Sequence, residues 1–209
     1  MKLFSRWLCF GAIALCAGLW IALYLAGRGI AEENGWMENQ QALCLAGATL
    51  MFAIVSRRQT LPPEKLFCIS LALFCLTFLL REFELPRGRF PDWATSLLTG
   101  KLRRVWLAGL WLALLIVARR EVRNIFQVFV SWLRTPSGCV MILGGVFYAA
   151  TWPLDKHLLD LPGPLNMFLE ELGDSIATLL ILQSSLWAGC AINAQPAATI
   201  TRTEPVKEI

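Results

Sequence analysis

The side chains best able to do chemistry in this chain are carboxylates at the ends of long apolar runs. Glu38, Glu82 and Asp174 each lie at or near such an end. A charged group there is costly unless it faces water, a cavity or a partner. Carboxylates in that setting can transfer protons as a general acid or base. We therefore predict these three as the candidate catalytic residues, and we expect them to approach one another in a compact bundle.

Arginines beside the same runs predict binding of a phosphate or another anion. Arg81 directly precedes Glu82 in the stretch LLREFELPRGRF, which also contains two further arginines. Guanidinium groups bind phosphate oxygens through charge-assisted hydrogen bonds. The predicted binding residues are Arg81, Arg87, Arg89, Glu170, Glu171 and His157.

Structural explanations compete with these roles. Glu170 and Glu171 suit the start of a helix near Leu169, because free amides and the helix dipole favour acids in the first turn. Arg81 could lie between the acids of the second and sixth helices and balance them as a buried polar lock. Such a lock would stabilise the protein without binding any ligand.

The sequence predicts no metal and no other cofactor. Carboxylate-rich bundles that hold two irons use Glu-x-x-His pairs, and this chain has none. Its one histidine is His157, for which an ordinary surface position is the competing interpretation. A hard divalent cation is the metal that carboxylates with few nitrogens would suit best.

The elements that must position these residues are membrane helices. The 209 residues are 56% hydrophobic and only 16% charged, whereas soluble domains have about a quarter charged residues. A span needs about 20 apolar residues. The third to fifth runs are shorter, so each must recruit flanking residues, tilt less or lie in locally thinned bilayer. We predict an all-α, polytopic transmembrane bundle over residues 1–194 and a disordered tail over 195–209. The six predicted spans are Leu8 to Ala26, Trp36 to Val55, Leu66 to Leu80, Val105 to Ala118, Gly138 to Trp152 and Leu172 to Ile192.

Lysine and arginine set the orientation, because cytoplasmic loops accumulate them. We predict an inner (cytoplasmic) membrane protein with both termini in the cytoplasm. In this orientation 11 of the 19 basic residues are cytoplasmic and 8 are outside. The connection from Arg81 to Arg104 holds six of those eight, so it either breaks the rule or its cations have a local role. This orientation places 11 of the 15 acids outside.

The segment Glu121 to Arg134 has apolar residues at helical spacing beside several arginines. That pattern predicts a helix lying on the anionic inner leaflet. The alternative is that it forms the lower turns of a longer fifth helix.

Several function classes are excluded or disfavoured. One histidine excludes cytochromes with paired axial histidines. Seven cysteines without a Cys-x-x-Cys pair are typical of packing residues rather than of a thiol-disulfide exchanger. The chain has no phosphate-binding glycine motif, and its arginines lack the aromatic interleaving of a nucleic-acid surface.

Three classes of function remain. The first is a small membrane enzyme that acts on a lipid or lipid-linked head group through the acids and arginines above. The second is an accessory or assembly subunit that binds a partner membrane protein. The third is a carrier for a small polar or cationic solute, for which Thr178, Gln183, Ser184 and Ser185 form a polar trail along the sixth helix.

Overall fold

The computed structural model describes residues 3–27, 35–82, 91, 95, 97–98, 100–156, 158 and 161–192, with only the backbone for 3–9, 82 and 189–192. Within those residues there is no strand, so the all-α prediction is confirmed. The predicted tail lies outside them. The helices are α1 (Leu3–Leu25), α2 (Trp36–Arg58), α3 (Pro62–Glu82), α4 (Gly100–Ala118), α5 (Val122–Leu133), α6 (Pro136–Asp155) and α7 (Gly163–Ile192).

Among the described residues, three helices are long and apolar enough to cross a membrane, which supports a membrane protein. They are Trp36–Arg58, Pro62–Arg81 and Pro136–Asp155, and a shorter apolar stretch, Phe10–Leu25, lies within α1. The helices that contain the third to fifth predicted spans extend beyond the predicted bounds. The corresponding helices α3, α4 and α6 have 21, 19 and 20 residues.

Helix α7 lies at the centre, where it packs against α1, α2 and α6, and α2 also packs against α3. Leu45, Phe52, Cys75 and Ile181 form part of the main apolar core. Gly144 permits close approach of α6 to α7, because a Cβ there would lie 3.0 Å from the carbonyl oxygen of Ala177.

Helix α5 is a separate element, so the alternative of a longer fifth helix is wrong. Thr135 caps the start of α6, where its Oγ1 accepts from the Gly138 amide at 3.2 Å, and Pro136 follows at the first turn. A side chain at Gly138 would clash with the carbonyl of Trp132, so glycine is required at this turn. Contact of α5 with a leaflet remains a prediction.

The start of α7 corrects the interpretation of Glu170 and Glu171. The helix begins at Gly163, seven residues before Glu170, and no acid lies in its first turn. Asn166 donates to the Leu154 carbonyl at 2.8 Å, and Phe168 stacks on Tyr24 with centroids 4.0 Å apart. These contacts stabilise the added turns, so helix-start chemistry does not explain the acids.

Candidate functional site

The site lies at the end of the bundle where α1, α3 and α6 finish and α2, α4 and α7 begin. We call this the acidic end, and the opposite end the basic end. Asp174 of α7 is 6% exposed and its carboxylate accepts from Thr151 Oγ1 of α6 at 2.6 Å. The Thr151 oxygen also lies 2.8 Å from the Tyr148 carbonyl oxygen. A predicted catalytic acid is therefore held between two helices by a hydroxyl.

Gln41 links α2 to the same part of α7. It is 1% exposed, and its Nε2 donates to Glu171 Oε2 at 2.7 Å and lies 3.4 Å from Ser175 Oγ. A buried amide needs such partners, since an unpaired polar group in an apolar setting is costly. The predicted site does not include Thr151, Ser175 or Gln41. The sequence signal that could have identified these contacts is a polar residue within an apolar run, such as Thr151 or Ser175.

Arg81 lies against α6. Its Cζ is 5.9 Å from the centroid of the Tyr148 ring, within the range of a cation–π interaction. The Arg81 side chain is also exposed. Its guanidinium is therefore oriented by an aromatic ring of α6 at the surface of the bundle.

A large apolar groove begins beside Arg81 and extends toward the basic end. Its volume is about 980 Å³, and Arg81 is the one charged residue among the described residues that line it. Neither Asp174 nor Glu171 lines it. The lining comes from α3, α4, α5, α6 and α7, and includes Ser70, Phe74, Phe78, Trp111, Gly145 and Trp152.

The other predicted site residues are only partly described. Glu38, Glu170 and Glu171 are half-buried at the acidic end. The backbone of Glu82 ends α3, but its side chain lies outside the described part, as do Arg87, Arg89 and His157. The convergence of Glu38, Glu82 and Asp174 remains a prediction. Within the described part, no three His, Cys, Asp or Glu side chains group as metal ligands would.

The polar trail on α7 is buried, but its hydroxyls are used by the helices. Thr178 donates to the Ser175 carbonyl at 3.0 Å and Ser185 to that of Leu182 at 2.7 Å. Ser184 and Ser137 each donate to the other's carbonyl at 2.8 Å. The Thr178 and Ser185 bonds lie within α7, whereas the Ser137 and Ser184 bonds join α6 to α7. Neither Thr178 nor Gln183 lines the groove.

One cation of the Arg81 to Arg104 connection, Arg103, has a local structural role. Arg103 of α4 donates to the Leu80 carbonyl, one of the terminal carbonyls of α3 that lack a partner within the helix. Trp111 adds a second link, since its Nε1 lies 3.2 Å from Thr77 Oγ1. Arg103 and Trp111 therefore attach α4 to α3 beside the groove.

Comparison with known proteins supplies no relative. No family model matches the chain, and neither the curated proteins nor the solved structures contain a match.

Proposed function

We propose that this chain is a six-span inner-membrane protein, with both termini cytoplasmic, that binds a lipid or lipid-linked phosphate at the acidic end and acts on its head group. By the positive-inside rule, the acidic end faces the outside of the cell membrane. The substrate is therefore an outer-leaflet lipid with an anionic head.

Contacts between consecutive apolar helices support six spans. The end of α1 meets the start of α2, where Trp20 Nε1 donates to Gln40 Oε1 at 3.2 Å. The end of α3 meets the start of α4 through Arg103, and Thr151 near the end of α6 meets α7 at Asp174. These helices alternate in direction, as spans joined by connections on alternate sides must. Helix α7 also has 18 uncharged residues from Ser175 to Ile192.

The observation that carries the lipid proposal is the groove with a cation at its mouth. Along α3 the groove runs from Ser70 to Arg81, eleven residues or about 16 Å of helix. One leaflet is about half of a hydrocarbon core roughly 30 Å thick. The groove therefore has the depth of one lipid chain whose head lies beside Arg81.

The chemistry at the head group starts from Arg81. Its guanidinium binds phosphate oxygens, while Tyr148 orients it from α6. Glu82 follows directly on α3 and is the acid or base that we assign to the reaction. Asp174 does not line the groove, so we assign it to holding α6 against α7.

Two pairs of matched variants test lipid binding. Arg81→Gln removes the cation, and Arg104→Gln removes an exposed cation of α4 that does not line the groove. Gly145→Phe fills the groove from a position where a Cβ meets nothing within 4 Å, and Gly109→Phe adds the same bulk elsewhere. Native mass spectrometry of the purified full chain should show retained anionic phospholipid in the wild type and in the two controls, Arg104→Gln and Gly109→Phe. Gly145→Phe, which fills the groove, should retain less. Arg81→Gln should weaken retention about tenfold, as loss of a charged hydrogen bond implies.

Turnover is tested separately from binding. A deletion strain should accumulate the substrate lipid, and Glu82→Gln should retain lipid without restoring the wild-type lipid profile. Equal retention by Arg81→Gln and Arg104→Gln, together with an unchanged lipid profile on deletion, would contradict the proposal.

Helix α4 favours a second candidate, the accessory subunit. None of its side chains is buried, although they are largely apolar. A membrane partner could cover this helix. In-membrane photocrosslinking from Leu112 and Leu115, both exposed, should then capture a discrete protein, whereas the lipid proposal gives lipid adducts there.

A further inference from the structure

We infer a second binding site, at the basic end of the bundle, for a protonated amine that carries an apolar group. The site is a cavity of about 540 Å³ between α2, α3 and α5, within the size range of small-molecule sites. It is distinct from the phosphate site, because the two spaces have only Leu71 and Trp132 in common among the described residues that line them.

The charge of the cavity selects a cation. Glu64, in the first turn of α3, is the one charged residue among those described in its lining. No described residue donates a hydrogen bond to this half-buried carboxylate or forms an ion pair with it. The nearby Lys65 and Arg134 are exposed and do not line the cavity. A buried or half-buried charge gains from a partner, and the cavity leaves room for one from outside the chain.

Three hydroxyl groups in the lining, those of Ser131, Thr135 and Ser137, can accept hydrogen bonds from a ligand. Ser131 donates its hydroxyl proton to the Val128 carbonyl at 2.8 Å, and Thr135 donates to that of Trp132 at 2.6 Å. Ser137 donates to the Ser184 carbonyl at 2.8 Å. Thr135 Oγ1 also accepts from the Gly138 amide and Ser137 Oγ from Trp132 Nε1, each at 3.2 Å, so each keeps one lone pair, and Ser131 Oγ keeps both. An ammonium group has three donors and no acceptor, and it matches this set.

The remaining lining is apolar and aromatic. Phe67 and Trp132 pack edge to face with centroids 5.2 Å apart. Phe52, Val55 and Ala188 also line the cavity. Aromatic faces attract a cation and also accept a hydrocarbon group. The ligand is therefore an amphiphilic amine, either a free amine or the amino head group of an inner-leaflet phospholipid.

The experiment uses the full chain in nanodiscs of phosphatidylcholine, with 2-phenylethylammonium as the probe and 2-phenylethanol as its neutral counterpart. Isothermal titration should show saturable binding of the amine at least about tenfold tighter than that of the alcohol, since one charged hydrogen bond is worth more than 1.4 kcal/mol. Glu64→Gln should remove this preference. Glu121→Gln, in the turn before α5 and outside the cavity, should retain it.

A second variant guards against an effect on folding. Val128→Trp fills the cavity without changing charge and should abolish amine binding while circular dichroism stays unchanged. Replacing part of the phosphatidylcholine by phosphatidylethanolamine identifies the source. Competition with the probe indicates a lipid head group, and unchanged affinity indicates a free amine. Equal binding of amine and alcohol, or amine binding unaffected by Glu64→Gln, would overturn the inference.

Discussion

At the scale of single residues, the contact between Thr151 and Asp174 is a buried polar link that joins α6 to α7 at the acidic end. Both side chains are at most 6% exposed, and their oxygens are 2.6 Å apart. Loss of Asp174 would remove this hydrogen bond between the helices and leave Thr151 only the Tyr148 carbonyl of its own helix. Asp174 is thus a stabilising residue in the fold, whatever else it does.

Asp174→Ala should lower the free energy of unfolding by about 1–3 kcal/mol, because Thr151 loses a buried partner. Asp155→Ala is the matched control at the end of α6. Asp155 is exposed and forms a 2.6 Å surface ion pair with Lys156, a contact worth about 0–1 kcal/mol. Urea unfolding in a fixed detergent measures both. Equal losses would show that the Thr151 contact does not matter.

At the scale of helices, close packing of α6 on α7 depends on small residues at defined positions. Gly173 and Gly144 both lie at this interface, whereas a Cβ at Gly145 meets nothing within 4 Å. Association of helices in lipid relies on such packing, since lipid is as apolar as the helix surface. Neighbouring glycines of α6 therefore have different roles, one in packing and one at the groove.

Gly173→Ala should destabilise the protein by about 1–3 kcal/mol, because the new methyl group would clash with the Thr151 methyl. Gly145→Ala should leave stability unchanged or raise it, since alanine favours helix by about 1 kcal/mol over glycine. Thermal unfolding followed by circular dichroism compares the two. A lower midpoint for Gly145→Ala than for Gly173→Ala would refute this packing.

At the scale of the whole molecule, the distribution of basic residues predicts the six-span topology that we propose. Paired periplasmic and cytoplasmic reporters should place Thr60, Asn124 and the C-terminus in the cytoplasm, and Thr95 and Leu159 outside. An external C-terminus would contradict the six-span topology. It would also separate the acidic end from the outer leaflet on which the lipid proposal depends.

Composition and periodicity by themselves determined the helical class and the approximate positions of the helices. Long apolar runs can satisfy their backbone only as helices in lipid, so these features follow from local sequence. The same holds for α5, whose apolar residues recur at helical spacing, and for Cys68 and Cys75, which are buried as packing residues.

The site depended on contacts between residues far apart in sequence. Helix α7 begins at Gly163 because Asn166 and Phe168 contact α6 and α1, which no local pattern specifies. The pairing of Gln41 with Glu171 spans 130 residues, and the groove beside Arg81 exists only where side chains of α3, α4, α5, α6 and α7 come together. A residue's type determines which chemistry it can do, but its neighbours across the bundle decide whether it stabilises helices or faces a ligand.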